Sequence, residues 1–215
     1  MCRNAIYLDI YGKGESIVGG TRFGGVPDVP ADFIWPTFEG AGLEDGTVKV
    51  RPLSFMVQFN CAELAAHDTE GLLPKTGLLS FFYEMDSQRW GFDPKDTGCA
   101  RVFWFEDISA LSPAQVPNDL EEDYQFPALK IDMEADTSYP GWEDFCLGRD
   151  TNVGDWDLFD EVTEAMDIDE DGSKVLGWPF IIQNNMTSDC EFVSRGYYLG
   201  DPEAMPKSPK RSAGA

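Results

Sequence analysis

Pro52-Leu-Ser-Phe-Met-Val-Gln-Phe-Asn60 is the stretch on which the fold class turns. Alternation sets Leu53, Phe55, Val57 and Phe59 on one side and Ser54, Met56 and Gln58 on the other, the period-two mark of a strand. A helix of the same length would scatter these apolar side chains around its axis, so sheet is expected here.

Upstream, Ala5 to Tyr11 alternates Ile6, Leu8 and Ile10 against Tyr7, Asp9 and Tyr11 and is expected to open a sheet. Between the two strands, glycines and prolines from Gly19 to Pro36 interrupt regular structure, because proline removes a ladder donor and glycine admits positive φ. Phe23, Phe33, Ile34 and Trp35 are spaced through that segment and need burial, which predicts a structured loop rather than a linker.

Downstream, Cys61 to Ala66 reads as a short helix. Leu78 to Met85 and Arg101 to Phe105 read as strands apolar on both faces, a pattern that belongs in the interior of a sheet. From Leu111 to Gly141 the chain is acidic and interrupted by proline, with one short strand expected at Ala128 to Met133 and irregular structure elsewhere. Asp155 is expected to cap a helix whose Leu158, Phe159, Val162, Ala165 and Met166 form one apolar stripe. Further strands are expected around Phe180 to Ile182 and Glu191 to Leu199, and residues 206–215 read as a disordered tail. The sum is an α+β chain, predominantly antiparallel sheet with a few short helices, in one domain over residues 1–205.

Of 215 residues, 42% are hydrophobic and 13% aromatic, ample material for a core. Sixteen basic residues stand against 39 acidic ones, a formal charge of −23. Such a surface repels phosphate backbones, which argues against direct nucleic-acid binding, and it suits either a basic protein partner or simple solubility. The five cysteines include no close pair and follow no signal peptide, so a reducing, cytoplasmic setting is expected. No apolar run reaches the ~20 residues needed to cross a bilayer, and no membrane association is expected.

Familiar chemistry is scarce. His67 is the single histidine; a triad needs an imidazole, but this one sits at the end of a predicted helix, where the helix dipole also favours it. Scattered cysteines exclude the local spacing of structural zinc. Asp167, Asp169 and Asp171 occupy the first, third and fifth places of a calcium loop, yet Trp178 stands where the closing glutamate belongs, so a polar helix-terminating turn is the preferred reading over calcium. The glycines at 19, 20, 24 and 25 fit neither a phosphate loop nor a dinucleotide fingerprint. No cofactor is expected.

One pattern recurs: Phe55-Met-Val-Gln58-Phe-Asn60 and Phe180-Ile-Ile-Gln183-Asn-Asn185 share F-x-x-Q-x-N. A glutamine ending an apolar strand either satisfies neighbouring backbone or faces a cleft, since an unpaired buried amide costs about 1–3 kcal/mol.

Arg-Phe-Gly-Gly-Val-Pro at 22–27, Ile-Trp-Pro at 34–36, the 52–60 strand, Leu-Pro-Lys-Thr-Gly-Leu-Leu-Ser-Phe-Phe at 73–82 and Val-Leu-Gly-Trp-Pro-Phe-Ile-Ile-Gln at 175–183 together resemble the YwqG-like family of uncharacterised proteins. The resemblance implies an α+β fold dominated by antiparallel sheet, usually bacterial, with no established activity and no catalytic residues to carry over. This chain departs from the family pattern after the second glutamine block, where a further aromatic strand region is replaced by Gly200 and the tail.

Two functions are expected on these grounds. The first is a non-enzymatic binding module that engages a basic protein partner through its acidic face and the Phe23 to Trp35 loop. The alternative is a small-ligand-binding protein or hydrolase-type enzyme with a pocket lined by Arg22, Gly24, Gly25, Trp35, Gln58 and Gln183. Nothing in the sequence speaks to oligomeric state.

Overall fold

The opening strand is β1 (Arg3–Tyr11), and it is the middle strand of an antiparallel three-stranded sheet, flanked by β10 (Lys130–Ser138) and β11 (Ser173–Leu176). This computed structural model describes residues 2–15, 17–43, 46–89, 94–142, 145, 153–166 and 172–179. The expected strands at 180–182 and 191–199, the tail, Gln183 and the Asp167, Asp169 and Asp171 triplet lie outside those residues.

The second sheet runs β2 (Arg22–Phe23), β6 (Ser54–Asn60), β7 (Leu78–Tyr83) and β8 (Ala100–Phe105), with every neighbouring pair antiparallel. Two-stranded pairs complete the described sheet: β3 (Asp28–Val29) with β9 (Ser112–Pro113), and the hairpin β4 (Thr37–Ala41) with β5 (Val48–Pro52). A short helix, α1 (Cys61–Ala65), follows β6 with Asn60 as its side-chain N-cap, and α2 (Val153–Ala165) precedes β11.

The four-stranded sheet packs apolar residues on both faces. One face sets Val57, Phe59, Leu79 and Phe81 against Ile6, Leu8, Ile131, Met133 and Val175 of the first sheet. The other carries Phe55 and Phe82 beneath Phe33, Trp35, Phe38 and Leu53. Trp35 meets Phe82 edge-on at 5.5 Å, and Phe33 meets Phe103 at 5.2 Å, geometries that add to plain area burial.

Several expectations are corrected. Alternation through 53–59 breaks at Met56, where a β-bulge shifts the register between Phe55 and Val57, so those two side chains belong to different cores. Strand β8 is an edge among the described residues, and its Val102 and Trp104 are exposed although they pair with Phe81 and Leu79 on the face toward the first sheet. Ile34 is 85% exposed, because the turn that sends Phe33 and Trp35 inward sends their neighbour outward.

The short strand expected at 128–133 extends to Ser138 and pairs with β1 along its whole length. Acidic residues at alternate positions disguised it, since Asp and Glu are poor strand formers by propensity but suit an outward face. In α2 the helix begins at Val153, placing Asp155 in its first turn rather than at the cap. Leu158, Val162 and Met166 of the expected stripe are exposed, whereas Trp156 and Phe159 cluster with Trp142 at 5.0 and 5.4 Å.

Candidate functional site

The glycine-rich loop is held down by three buried side chains. Arg22 lies opposite Gln58 in the β2–β6 register and is 2% exposed. Its Nη1 donates to Asp28 Oδ2 at 3.0 Å and to the Ile17 carbonyl at 3.2 Å, and Nη2 donates to the Val26 carbonyl. Gln58 Nε2 donates to Asp28 Oδ2 at 2.7 Å and to the Gly20 carbonyl at 2.8 Å. Asp28 also accepts the Gly19 amide at 2.9 Å. The Gln58 amide is thus spent within the fold, and Arg22 with Gln58 forms the underside of the loop.

On the outer side of the loop the chain makes a cleft. Gly24 donates its amide to the carbonyl of the bulged Met56 at 2.8 Å, and Gly25 donates to the Phe126 carbonyl at 2.9 Å. Both glycines have positive φ, +61° and +75°. A cavity of about 300 Å³ opens beside them, lined among others by Gly25, Trp35, Phe55, Leu120 and Phe126. Trp35 is fixed there by donating Nε1–H to the Leu53 carbonyl at 2.9 Å.

A polar cavity of about 170 Å³ adjoins it, the two sharing Leu120 and Tyr124. Strand β5 supplies Lys49 and Arg51, the segment after β7 supplies Glu84 and Asp86, and the 119–124 loop supplies Asp119 and Glu121. Arg51 Nε donates to Asp86 Oδ2, and Tyr124 donates its hydroxyl to Asp86 Oδ1 at 3.3 Å. Glu84 is 1% exposed and accepts the backbone amides of Asp86 at 3.0 Å and Ser87 at 3.1 Å. Ser54 lines the same cavity, 1% exposed, and its hydroxyl has no hydrogen-bond partner. Negative potential is felt nearby: burial, followed by the Asp96 and Glu84 carboxylates, pushes the Cys99 thiol above its ordinary value.

Of the residues expected at a site, Gly25 and Trp35 line the apolar compartment, Gly24 anchors its rim, and Arg22 and Gln58 sit beneath it. His67 closes α1, donating its amide to the Leu64 carbonyl at 2.9 Å, and lines neither compartment. Sequence reasoning missed Asp28, Arg51, Ser54, Glu84 and Asp86. Asp28 directly follows the Arg22–Pro27 block and Ser54 lies within the best-read strand, but nothing local marked either as polar and buried. Among the described residues no helix is long and apolar enough to cross a membrane, and no group of three potential metal ligands converges.

A family model described as a domain of unknown function, DUF1963, matches residues 21–208, which takes in the loop from Thr21 onward, the second sheet and both compartments. A search of curated proteins gave no match.

Proposed function

The chain belongs to the DUF1963 family, a domain of unknown function, and from that premise we propose that it is a non-enzymatic binding module whose two compartments take an extended basic segment of a partner protein. The observation that carries this reading is the adjacency of an apolar compartment, walled by Trp35 and Phe126, to an acidic one across the shared Leu120 and Tyr124. Asp119, Glu121, Glu122 and Asp123 are exposed along the loop that walls both.

An apolar floor with a charged rim is the usual anatomy of a peptide groove: the floor supplies affinity and the rim supplies orientation. The net charge of −23 speeds encounter with a basic partner and penalises acidic ones. Free thiols at Cys61 and Cys99 suit a cytoplasmic setting for the pairing.

The test compares charge reversals at equal net charge. Asp119→Lys with Glu122→Lys should weaken binding of a basic partner, or of an arginine- and lysine-rich peptide, by about tenfold or more at low salt. Asp132→Lys with Glu134→Lys, on the outward side of β10, should weaken it far less. Equal losses from both pairs, or a native-host pull-down with no salt-sensitive protein partner, would overturn the proposal.

A small-ligand site is favoured by one observation, the Trp35 compartment's volume of about 300 Å³, which reaches the lower range of small-molecule pockets. On that alternative Gly25 and Trp35 make the contacts, and a thermal-shift screen of small molecules without a single stabiliser would remove it.

A further inference from the structure

The polar compartment is built for one kind of guest. Four carboxylates line it, Glu84, Asp86, Asp119 and Glu121, against the two cations Lys49 and Arg51. Arg51 is already committed, with Nε on Asp86 and its terminal nitrogens on the carbonyls of Gly40, Thr47 and Lys49. Lys49 is held loosely: its side chain is 45% exposed, and its ammonium stands 3.4 Å from Glu121 and 3.9 Å from Asp86. At the inner wall, the buried Ser54 hydroxyl lacks a partner. Buried hydroxyls are almost always paired, so this one marks a place where a donor or acceptor is missing.

We infer that this compartment is a subsite for a lysine ammonium of the bound segment, which displaces Lys49 and takes Ser54 Oγ, Asp86 and Glu121 as its acceptors. The inference rests on the binding proposal above and deepens it by naming the residue recognised. Lys49 is the internal precedent, an ammonium already resting on two of these carboxylates. A guanidinium suits the site less well, because it needs a carboxylate edge in plane, and both Asp86 oxygens are engaged by Arg51 and Tyr124. An ammonium instead uses separate point acceptors, such as one hydroxyl oxygen and the outer lone pairs of two carboxylates. The adjoining Trp35 compartment then receives an apolar side chain next to that lysine.

The experiment titrates the full chain by fluorescence anisotropy with a labelled octapeptide that carries one Lys-Leu pair among arginine and glycine. A matched peptide carries Nε-acetyl-lysine in place of the lysine. Acetylation should weaken binding to the natural chain about tenfold. Ser54→Ala should weaken the lysine peptide by a similar factor, leave the acetylated peptide unaffected, and keep Tm unchanged or higher, because it removes only an unpaired hydroxyl. Lys49→Met should tighten the lysine peptide severalfold by removing the competing ammonium.

If both peptides bind alike, or if neither variant shifts the lysine peptide, the subsite is wrong while the binding module stands. If Ser54→Ala lowers Tm together with affinity, Ser54 is structural and the subsite is again overturned. If neither peptide binds the natural chain at low salt, the module itself fails.

Discussion

Asp28 and Gln58 bond each other twice: the Gln58 side-chain amide donates to Asp28 Oδ2 at 2.7 Å, and the Asp28 backbone amide donates back to Gln58 Oε1 at 3.0 Å. With Arg22 on the same carboxylate, the pair fastens the glycine loop to β6 across 30 residues of sequence. The lock lies beneath the loop and lines neither cavity.

Removing the anion should cost more than removing the amide. Asp28→Ala leaves the Arg22 charge buried and unpaired, and a loss of about 3–5 kcal/mol in unfolding free energy is expected. Gln58→Leu takes one donor from the Asp28 carboxylate, which keeps Arg22 and the Gly19 amide. It leaves the Gly20 carbonyl and the Asp28 amide unmatched, for a smaller total of about 1–3 kcal/mol where water reaches one of them. Urea titration of both variants decides the order, and equal or reversed losses would show that Arg22 finds another partner.

Gly24→Ala should be strongly destabilising, and Gly12→Ala mild. Both residues have positive φ, which costs an L side chain about 1–2 kcal/mol. At Gly24 an added Cβ also runs into the Pro127 carbonyl and the Phe126 side chain, whereas at Gly12 it meets nothing within 4 Å. Thermal unfolding of the two variants side by side reads the difference, and matching Tm values would mean that the 126–127 segment yields freely.

Asp9 faces Asp132 directly in the β1–β10 register, a like-charge pair that costs about 0.2–1 kcal/mol at low salt. Asp9→Asn should therefore stabilise the fold by a few tenths of a kcal/mol, with the gain fading at ~1 M salt as screening sets in. A gain that persists at high salt would point to some other cause.

Burial pushes the Cys61 and Cys99 thiols above their ordinary value of 9.0. In the unfolded chain they ionise from about pH 8.5–9. Their contribution to stability is therefore complete below that point and is lost as pH rises through the folded-state values. Unfolding free energy should fall on the alkaline side. At pH 8, iodoacetamide should label exposed Cys2 quickly, and Cys61 and Cys99 only after urea is added. Rapid labelling of Cys61 in the native chain would contradict this.

Strands were legible where a local pattern carries them. The alternation of Ile6 and Leu8 against Tyr7, and the apolar residues on both sides of β7, were readable in place, because within an unbroken strand the pleat alone fixes which neighbours share a side. Strand β10 was half-legible: its half-buried Ile131 and Met133 keep the period, while the carboxylates at Asp132, Glu134 and Asp136 lowered its apparent propensity. The bulge at Met56 left no such trace, since one extra residue is recognised only against the partner strand.

The sites follow the same division. Gly25 and Trp35, which line the apolar cavity, stood out because glycine at a turn and tryptophan in a loop are conspicuous where they stand, and Gln58 was singled out with its choice between backbone and cleft still open.

By itself, then, the sequence determined a β-rich chain with a heavily anionic surface and few groups for familiar catalysis, since each of these is a sum over residues or a short-range periodicity. Only the tertiary structure decided that Gln58 turns inward to Asp28, and that Ser54 of β6, Asp86 after β7 and Glu121 of an irregular loop surround one cavity. The reason is that a side chain's partners depend on which distant segments the sheets bring beside it, and no local pattern carries that information.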